Sequence, residues 1–258
     1  MMPAYLSASR MVQYLMCPLK YRLVYVDKVE PDFLPSNLVL GSCIHSAIEG
    51  FYHNIQEGIR LPAETVIELF ESYFDAGTDG KTLEPGCDRE AVKNIGKSLL
   101  TVFARDVQPA EVVGIEEKFR IPLVDLDTGE IITNLVGVFD LIELDSEGTP
   151  VVVDHKTAAK RYSDADLESN LQLTAYGLAS RQIHQLEGTV LLRIDAMIKN
   201  KTPVFDQKFT LRTVETDQRF VRFASDILQA MDSGAFFPNT GWQCGSCQVR
   251  SHCYMGAA

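Results

Sequence analysis

The chain of 258 residues is 46% hydrophobic, carries a formal net charge of −11 and contains six cysteines. It has no run of about 18 apolar residues and no basic segment followed by an apolar one at its start, so we expect neither a transmembrane helix nor a signal peptide. The cysteines of such a chain are expected to bind metal rather than form disulfides, which predicts a cytoplasmic protein. The negative net charge by itself argues against nucleic-acid binding.

The N-terminal segment, Tyr5 to Val26, predicts two short helices. Ser7 is suited to cap the first helix, and Pro18 can begin the second. Cys17 lies at the junction between them, where free backbone N–H groups can bond its sulfur. Considered without the rest of the chain, this cysteine is an ordinary buried residue.

A helix is predicted from Leu38 to Asn54, because apolar residues recur there at helical spacing. His45 lies on the edge of its apolar face, where a histidine is more often a satisfied core residue than a ligand. Cys43 beside it has no evident role. Two further helices within residues 62–107 make an acidic helical region, which could cover a site or serve as plain scaffold.

A strand is predicted from Glu111 to Val124, where apolar residues alternate with polar ones. Glu116 and Glu117 point to opposite faces of this strand. At most one of them can therefore approach a metal site, and we assign neither.

The most informative stretch is Val136 to Thr157, where two runs rich in Val and Ile flank a polar segment, Asp145–Thr149. A short glycine-containing loop between such runs predicts a β-hairpin. In the resulting register Asp140 lies opposite Asp154, so both point to the same face of the sheet. Lys156, two residues further on, shares that face.

Two opposed carboxylates in an apolar hairpin should repel each other. A divalent cation between Asp140 and Asp154 would remove the conflict, because Mg²⁺ is commonly held by one or two carboxylates with water and substrate phosphate. The alternative is a solvated polar face with one salt bridge from Lys156. A slip of one residue in register would place the two aspartates on opposite faces.

These residues resemble a known signature. Asp140, followed by Asp154-His155-Lys156 after a hydrophobic strand, resembles the PD-(D/E)xK nuclease motif in its RecB-like branch. That branch includes CRISPR-associated iron–sulfur exonucleases and AddB-type nuclease domains. The resemblance implies that Asp140, Asp154 and Lys156 are catalytic, and that the two aspartates and the backbone carbonyl of His155 bind the metal.

Two further motifs are similar to those of RecB-like nucleases. Gly41 to His45 matches the Gly-x-x-x-His motif, which implies that His45 is another metal ligand. A helix is predicted from about Leu167 to His184, and on it Gln172 and Tyr176 share a face. They are similar to the Gln-x-x-x-Tyr motif, which implies that this pair lines the DNA path beside the active site.

Strands and a helix within residues 189–231 complete an α/β pattern with a central mixed sheet. The resemblance implies a restriction-endonuclease-like fold in which helices flank this sheet, with a helical insertion and a cysteine-ligated C-terminal region. We expect a single RecB-like nuclease domain over residues 1–258. Its helical part covers about 36–110 and its nuclease core about 111–233.

The C-terminal segment carries three soft ligands within ten residues: Cys244, Cys247 and Cys253. The Cys-x-x-Cys unit is common in zinc and iron–sulfur sites. In iron–sulfur RecB-like nucleases a fourth cysteine lies upstream, and here Cys17 matches it. The resemblance therefore implies a [4Fe–4S] cluster that forms an iron–sulfur clasp between Cys17 and residues 241–258, with zinc as the alternative. Two cysteines are left without a role: Cys43 and Cys87.

The resemblance implies hydrolysis of DNA phosphodiester bonds with Mg²⁺ or Mn²⁺. We expect an exonuclease on single strands or DNA ends, with CRISPR integration proteins or a helicase as partners and no membrane association. One alternative is a non-catalytic DNA-end-binding subunit of a helicase–nuclease or CRISPR spacer-acquisition complex. Another is a zinc-stabilised structural module whose carboxylates bind nothing.

The charge is unevenly distributed along the chain. Residues 1–150 carry 12 basic and 24 acidic side chains, whereas residues 151–258 carry 12 and 11. The acidic surplus therefore lies away from the second half, where we expect much of the substrate path. Binding to DNA should be weak and sensitive to salt.

Overall fold

A five-stranded sheet forms the centre of the computed structural model, which describes residues 3–255. Its strands, in spatial order, are β1 (Glu111–Val124), β2 (Ile131–Leu144), β3 (Pro150–Ala158), β4 (Val190–Ile198) and β5 (Val204–Arg212). β3 and β4 run parallel, and the other neighbouring pairs are antiparallel. The expected central mixed sheet is therefore confirmed.

The α-helices described in residues 3–255 are α1 (Ala8–Met16), α2 (Pro18–Tyr21), α3 (Ser36–Gln56), α4 (Ala63–Thr78), α5 (Arg89–Asp106), α6 (Asp164–Glu168), α7 (Leu171–His184) and α8 (Val214–Asp232). A π-helix, Arg22–Val26, continues α2. None of these helices combines the length and the apolar character that crossing a bilayer requires. The Oγ of Ser7 caps α1 and Pro18 begins α2, as predicted.

The predicted helix from Leu167 to His184 is wrong at its start, because the structure divides it into α6 and α7. Asn170 caps α7, and its Oδ1 accepts the backbone N–H groups of Gln172 and Leu173 at 2.9 and 3.0 Å. Leu167 and Leu171 keep a helical spacing across the break. Apolar periodicity therefore misses it, although Asn is a preferred capping residue.

Helices cover both faces of the sheet. The layer of α3, α4 and α5 packs on one face, and α1, α7 and α8 pack on the other. Val152 and Val153, adjacent on β3, are both fully buried and belong to opposite layers. This follows from the alternation of side chains along a strand, and it makes β3 a strand buried on both faces.

The β2–β3 turn fixes the register on which the site depends. Oδ1 of Asp145 accepts two backbone N–H groups within the turn, at 2.9 and 2.8 Å. Gly148 adopts a φ of 78°, which favours glycine. Leu144 pairs with Pro150, the register that the sequence predicts.

The two ends of the described chain lie against each other. The hydroxyl of Tyr14 donates to the carbonyl of Ala235 at 2.8 Å, and the backbone N–H of Leu19 donates to the carbonyl of Phe237 at 3.0 Å. Val249, 1% exposed, packs with residues of α2 and the π-helix. We call this set of contacts the end-to-end contact.

Candidate active site

Asp140 lies where both helical layers reach the sheet. The β2–β3 register, read one step beyond its last paired residues, places it opposite Asp154. Its Oδ2 accepts the backbone N–H of His155 at 2.8 Å and lies 3.5 Å from Nδ1 of His45 on α3. Its Oδ1 accepts the hydroxyl of Tyr176 on α7 at 3.5 Å. The Asp140 carboxyl is thus held by groups from three elements.

Asp154 is fully buried and asymmetrically paired. Its Oδ1 accepts the ammonium of Lys156 at 2.6 Å, whereas its Oδ2 has no hydrogen-bond partner within the described residues. Burial raises the pKa of Asp154 to about 7, although the positive charge of Lys156 acts to lower it. The expected alternative of a solvated face is therefore wrong, since its salt bridge is present but its carboxylate is enclosed.

Lys156 is held in its charged form. Burial acts to lower the pKa of its ammonium, but the charges of Asp154 and Asp140 outweigh burial and raise the pKa. The side chain consequently carries a proton at neutral pH. That state suits a group that stabilises negative charge better than one that accepts a proton.

His45 approaches the same place from α3. Burial lowers the pKa of His45, and the neighbouring charge of Asp140 only partly opposes this effect. The ring also hydrogen-bonds the backbone of His155. A neutral imidazole is the form that binds metal ions. His45 therefore contacts both Asp140 and the backbone of His155. The sequence predicts that these three groups bind the same cation.

The side chain of His155 has a different environment from its backbone. The ring is 2% exposed and lies 5.7 Å from the ring of Tyr52 and 6.2 Å from that of Phe103, centroid to centroid. Burial holds the pKa of His155 well below its usual value. The imidazole is a neutral core group that fixes the backbone to which Asp140 and His45 bind.

The structure adds Glu116, to which the sequence assigns no role. Glu116, His45 and Asp140 each offer one ligand atom, and these atoms lie within 4.8 Å of one another. Burial, together with the charges of Asp140 and Glu49, raises the pKa of Glu116 to about 7. This cluster is a candidate site for a divalent metal.

Two features bring Glu116 into the cluster. The pairs Ile115↔Leu141 and Glu117↔Phe139 flank it, so the β1–β2 register sets Glu116 beside Asp140. Its φ of 48° lies in the left-handed region, which costs about 1–3 kcal/mol for a residue other than glycine. Knowledge of the register could have identified Glu116, but no sequence pattern indicates this backbone conformation.

Gln172 and Tyr176 share one face of α7, as their spacing predicts. Nε2 of Gln172 donates to the hydroxyl of Tyr176 at 2.8 Å, and that hydroxyl in turn donates to Asp140. Burial raises the pKa of Tyr176 well above its usual value. The phenol therefore stays protonated, and two hydrogen bonds connect Gln172 to the acidic cluster.

The four cysteines of the expected iron–sulfur clasp line one cavity of about 60 Å³, with apolar neighbours such as Leu19 and Val249: Cys17, Cys244, Cys247 and Cys253. All four are unpaired thiols. The backbone N–H of Lys20 donates to Sγ of Cys17 at 3.5 Å, the contact expected at the helix junction. The two cysteines left without a role do not line this cavity.

The family model described as the PD-(D/E)XK nuclease superfamily matches residues 5–254. The chain belongs to this superfamily. It is accordingly a nuclease, and nucleases of this superfamily use divalent metals, for which His45, Glu116 and Asp140 provide ligand atoms.

The chain is similar to a subunit of the ATP-dependent helicase/deoxyribonuclease of Carboxydothermus hydrogenoformans, with 25% identity over 233 residues. The matched region is 79% of this chain and 21% of that protein, so the chain spans about a fifth of the relative's length. Among solved structures it is similar to one described as a candidate exonuclease from Eubacterium rectale, with a TM-score of 0.57 and 15% identity.

That structural alignment covers 96% of this chain and 88% of the other. At such low identity the likeness concerns the fold alone. It supports the restriction-endonuclease-like arrangement, in which a five-stranded mixed sheet is flanked by helices on both faces. This expectation from the sequence is confirmed.

Proposed function

We propose that this nuclease is a divalent-cation-dependent deoxyribonuclease that acts as an exonuclease on single-stranded DNA or DNA ends. The observation that carries the proposal is the convergence of Asp140, Asp154 and Lys156 at one end of the β2–β3 hairpin. His45 from α3 and Glu116 from β1 meet Asp140 at the same point. Acidic ligands beside a charged lysine are suited to phosphodiester hydrolysis.

The donor set fits a small divalent cation. Oδ2 of Asp154 is a buried carboxylate oxygen without a partner in residues 3–255, and such an atom is costly unless a cation or a hydrogen bond compensates it. Asp140, Asp154, His45 and the backbone carbonyl of His155 would hold Mg²⁺ or Mn²⁺, and Glu116 extends the set. The imidazole favours Mn²⁺, because nitrogen ligands suit softer ions. When bound, the cation supplies Lewis-acid polarisation of the scissile phosphate.

The protein's own side chains have separate tasks. The ammonium of Lys156, held charged by two carboxylates, stabilises the negative charge that grows on the phosphate. Asp154 fixes that ammonium through its 2.6 Å contact. Tyr176 orients Asp140, and Gln172, hydrogen-bonded to Tyr176, lies beside the substrate strand.

We further propose a [4Fe–4S] cluster in the clasp. Four thiols around one apolar cavity supply the ligands of such a cluster. The match of Cys17 to the upstream cysteine of iron–sulfur RecB-like nucleases favours the cluster over zinc.

The relative from Carboxydothermus is part of a helicase/deoxyribonuclease. We infer from it a helicase partner for this chain, whereas a CRISPR integration partner stays a prediction from the sequence resemblance. The single domain, with a helical part at about 36–110, a core at about 111–233 and the clasp, stays a proposal as well. So does the cytoplasmic location.

The proposed activity is tested with end-labelled single-stranded and double-stranded DNA in Mg²⁺ or Mn²⁺, beside a circular single strand that has no ends. Release of label from linear DNA, with the circle left intact, is the expected result. Cleavage of the circle would show an endonuclease. Binding of ends without cleavage in either cation would favour the non-catalytic alternative.

A further inference from the structure

A groove runs between α1 and the start of α7. It has a volume of about 510 Å³, within the range of roughly 300–1,000 Å³ typical of sites for small ligands. Apolar side chains of α1, including Val12 and Met16, make one part of its wall. Leu171 and Tyr25 also line it, and amides and hydroxyls make the rest: Ser9, Gln13, Ser169, Asn170 and Gln172.

Within the described part of the chain, no charged side chain lines the groove. Three other surface cavities, of about 400, 560 and 490 Å³, all have carboxylates in theirs, for example Glu168, Glu130 and Asp226. The chain has a net charge of −11, so most of its surface repels anions, whereas this uncharged groove can accept an anionic or a neutral ligand. Apolar surface interleaved with amides suits a planar, neutral group with hydrogen-bonding edges, which describes a nucleobase.

One residue, Gln172, links the groove to the candidate active site. Gln172 lines it and donates to Tyr176, whose hydroxyl donates to Asp140. A strand whose phosphate lies at Asp140 would therefore bring a neighbouring base to the groove. This shared residue distinguishes the groove from the other three cavities, none of which is lined by a residue of that hydrogen-bonded series.

Two local features indicate a ligand in the groove. Nε2 of Gln13 is buried without a hydrogen-bond partner among the described residues, although Gln13 lines the groove. Tyr25, also in the lining, belongs to the π-helix, a rare element that occurs frequently at functional sites. An amide and an aromatic ring are the two kinds of contact that a base requires, an edge and a stacking surface. The Tyr25 ring also lies 4.9 Å from the Arg10 guanidinium and 5.1 Å from the Tyr21 ring, so a base would meet an aromatic surface that is already held in place.

We propose that the α1–α7 groove binds one unpaired nucleobase of the substrate strand, next to the nucleotide that is cleaved. A base in a duplex has its hydrogen-bonding edge occupied and both faces stacked, so the groove selects single-stranded DNA or frayed ends. This inference rests on the proposed function and deepens it, because it assigns the substrate class to a structural feature.

The test uses single-stranded oligonucleotides, each with one abasic site, placed at successive positions from the labelled end. For the wild-type protein we expect one position at which the missing base lowers kcat/KM by about fivefold or more, since stacking of one base contributes about 1–3 kcal/mol. The same oligonucleotides are measured by fluorescence anisotropy with a chelator present. The groove is thereby tested even if the protein binds DNA without cleaving it.

Val12→Trp fills the groove from an exposed position of α1. We expect this variant to cleave or bind intact DNA as poorly as the wild type cleaves or binds DNA with the abasic site at the critical position. In the variant, the abasic site should cause no further loss. The matched control is Ile183→Trp at the other end of α7, because the two wild-type side chains are 44% and 45% exposed. It should keep the wild-type pattern.

Gln13→Leu gives a second, independent readout. In the absence of DNA, this variant should melt at a higher temperature, because a buried amide without a partner is removed. It should bind intact DNA about threefold or more weakly, because the proposed hydrogen bond between Gln13 and the base is lost. The inference is overturned if no abasic position stands out in the wild type, or if the position-specific penalty persists in Val12→Trp. Absence of any cleavage and any binding by the wild type would instead refute the proposed function.

Discussion

At the scale of single residues, Asp154 has the most consequential environment. Its carboxyl is fully enclosed, one oxygen accepts Lys156, and the other has no partner among the described residues. Asp154→Asn removes a charge from the ligand set, so cleavage should fall by more than the roughly 10–100-fold typical of losing an outer partner of a metal site. The metal-free fold should be retained, because relief of repulsion with Asp140 offsets the lost pairing.

Cleavage assays and thermal melts with a chelator check both parts of this prediction. Asp226→Asn, on helix α8 away from the cluster, is the matched control and should leave both quantities unchanged. Wild-type turnover in Asp154→Asn would show that this aspartate does not belong to the active site.

Lys156→Arg separates charge from shape. Arginine keeps the positive charge, but its planar fork does not reproduce a compact ammonium 2.6 Å from Asp154. We expect cleavage to fall by about 10²–10³-fold, as on loss of one transition-state donor, with DNA binding nearly preserved. Rates from single-turnover cleavage, beside dissociation constants from anisotropy, measure the two effects. Cleavage within a few-fold of the wild type would show that Lys156 contributes only its charge.

Glu116 gives a pH dependence with a definite sign. Its pKa in the folded protein is about 7, above its ordinary value of 4.5, so the folded state holds the proton more tightly than the unfolded state. The stability from this group is present below about pH 4.5 and is lost as pH rises towards 7. Metal-free unfolding free energies should therefore fall over this interval, and Glu116→Gln should flatten the slope. An unchanged slope in the variant would contradict the raised pKa.

At the scale of elements, the break between α6 and α7 positions Gln172. Asn170 satisfies two backbone N–H groups at the start of α7. Asn170→Ala should cost about 1 kcal/mol in the free energy of unfolding, whereas Asn170→Asp, which can still cap, should cost much less. Urea denaturation of both variants measures the difference. Equal losses would mean that the cap does not hold this helix start.

The sequence was sufficient where local chemistry determines an element. The glycine in the Asp145–Thr149 turn determines the β2–β3 register, and with it the opposition of Asp140 and Asp154. Glu116 was missed, because its part in the cluster depends on pairing with a distant strand and on a left-handed φ. The α6–α7 break was missed for the opposite reason, since a local capping signal was outweighed by periodicity. Local patterns therefore determine most strands, whereas the completed ligand set depends on tertiary contacts.

At the scale of the whole molecule, the proposed cluster joins residues more than 220 positions apart in the sequence, Cys17 and Cys244. Cys17→Ser should lose about four iron atoms per chain and loosen both ends together, because a cross-link closing so long a loop is absent from the unfolded state. Catalysis should decline through instability, since the carboxylates lie on the sheet. Iron and acid-labile sulfide per chain, with a thermal melt, measure this.

Cys43→Ser and Cys87→Ser are the matched controls for the cluster. Neither residue lines the cavity of the four cysteines, so both variants should keep full iron content. Full iron in Cys17→Ser, or loss of iron from either control, would show that the ligand set is wrong. Zinc in place of iron in the purified wild-type protein would show that the four cysteines bind zinc, the alternative that the sequence leaves open.

The end-to-end contact also determines how the molecule would carry a mechanical load. Force applied between the two ends of the described chain first reaches Leu6, whose backbone hydrogen-bonds Asn134 and Val136 on β2. Behind Leu6, the N-terminal helices and the C-terminal segment bind each other directly through pairs such as Leu19 and Phe237. Once the Leu6 bonds rupture, the end-to-end contact bears the tension, and it shields the rest of the hairpin with Asp140 and Asp154 until it ruptures as well.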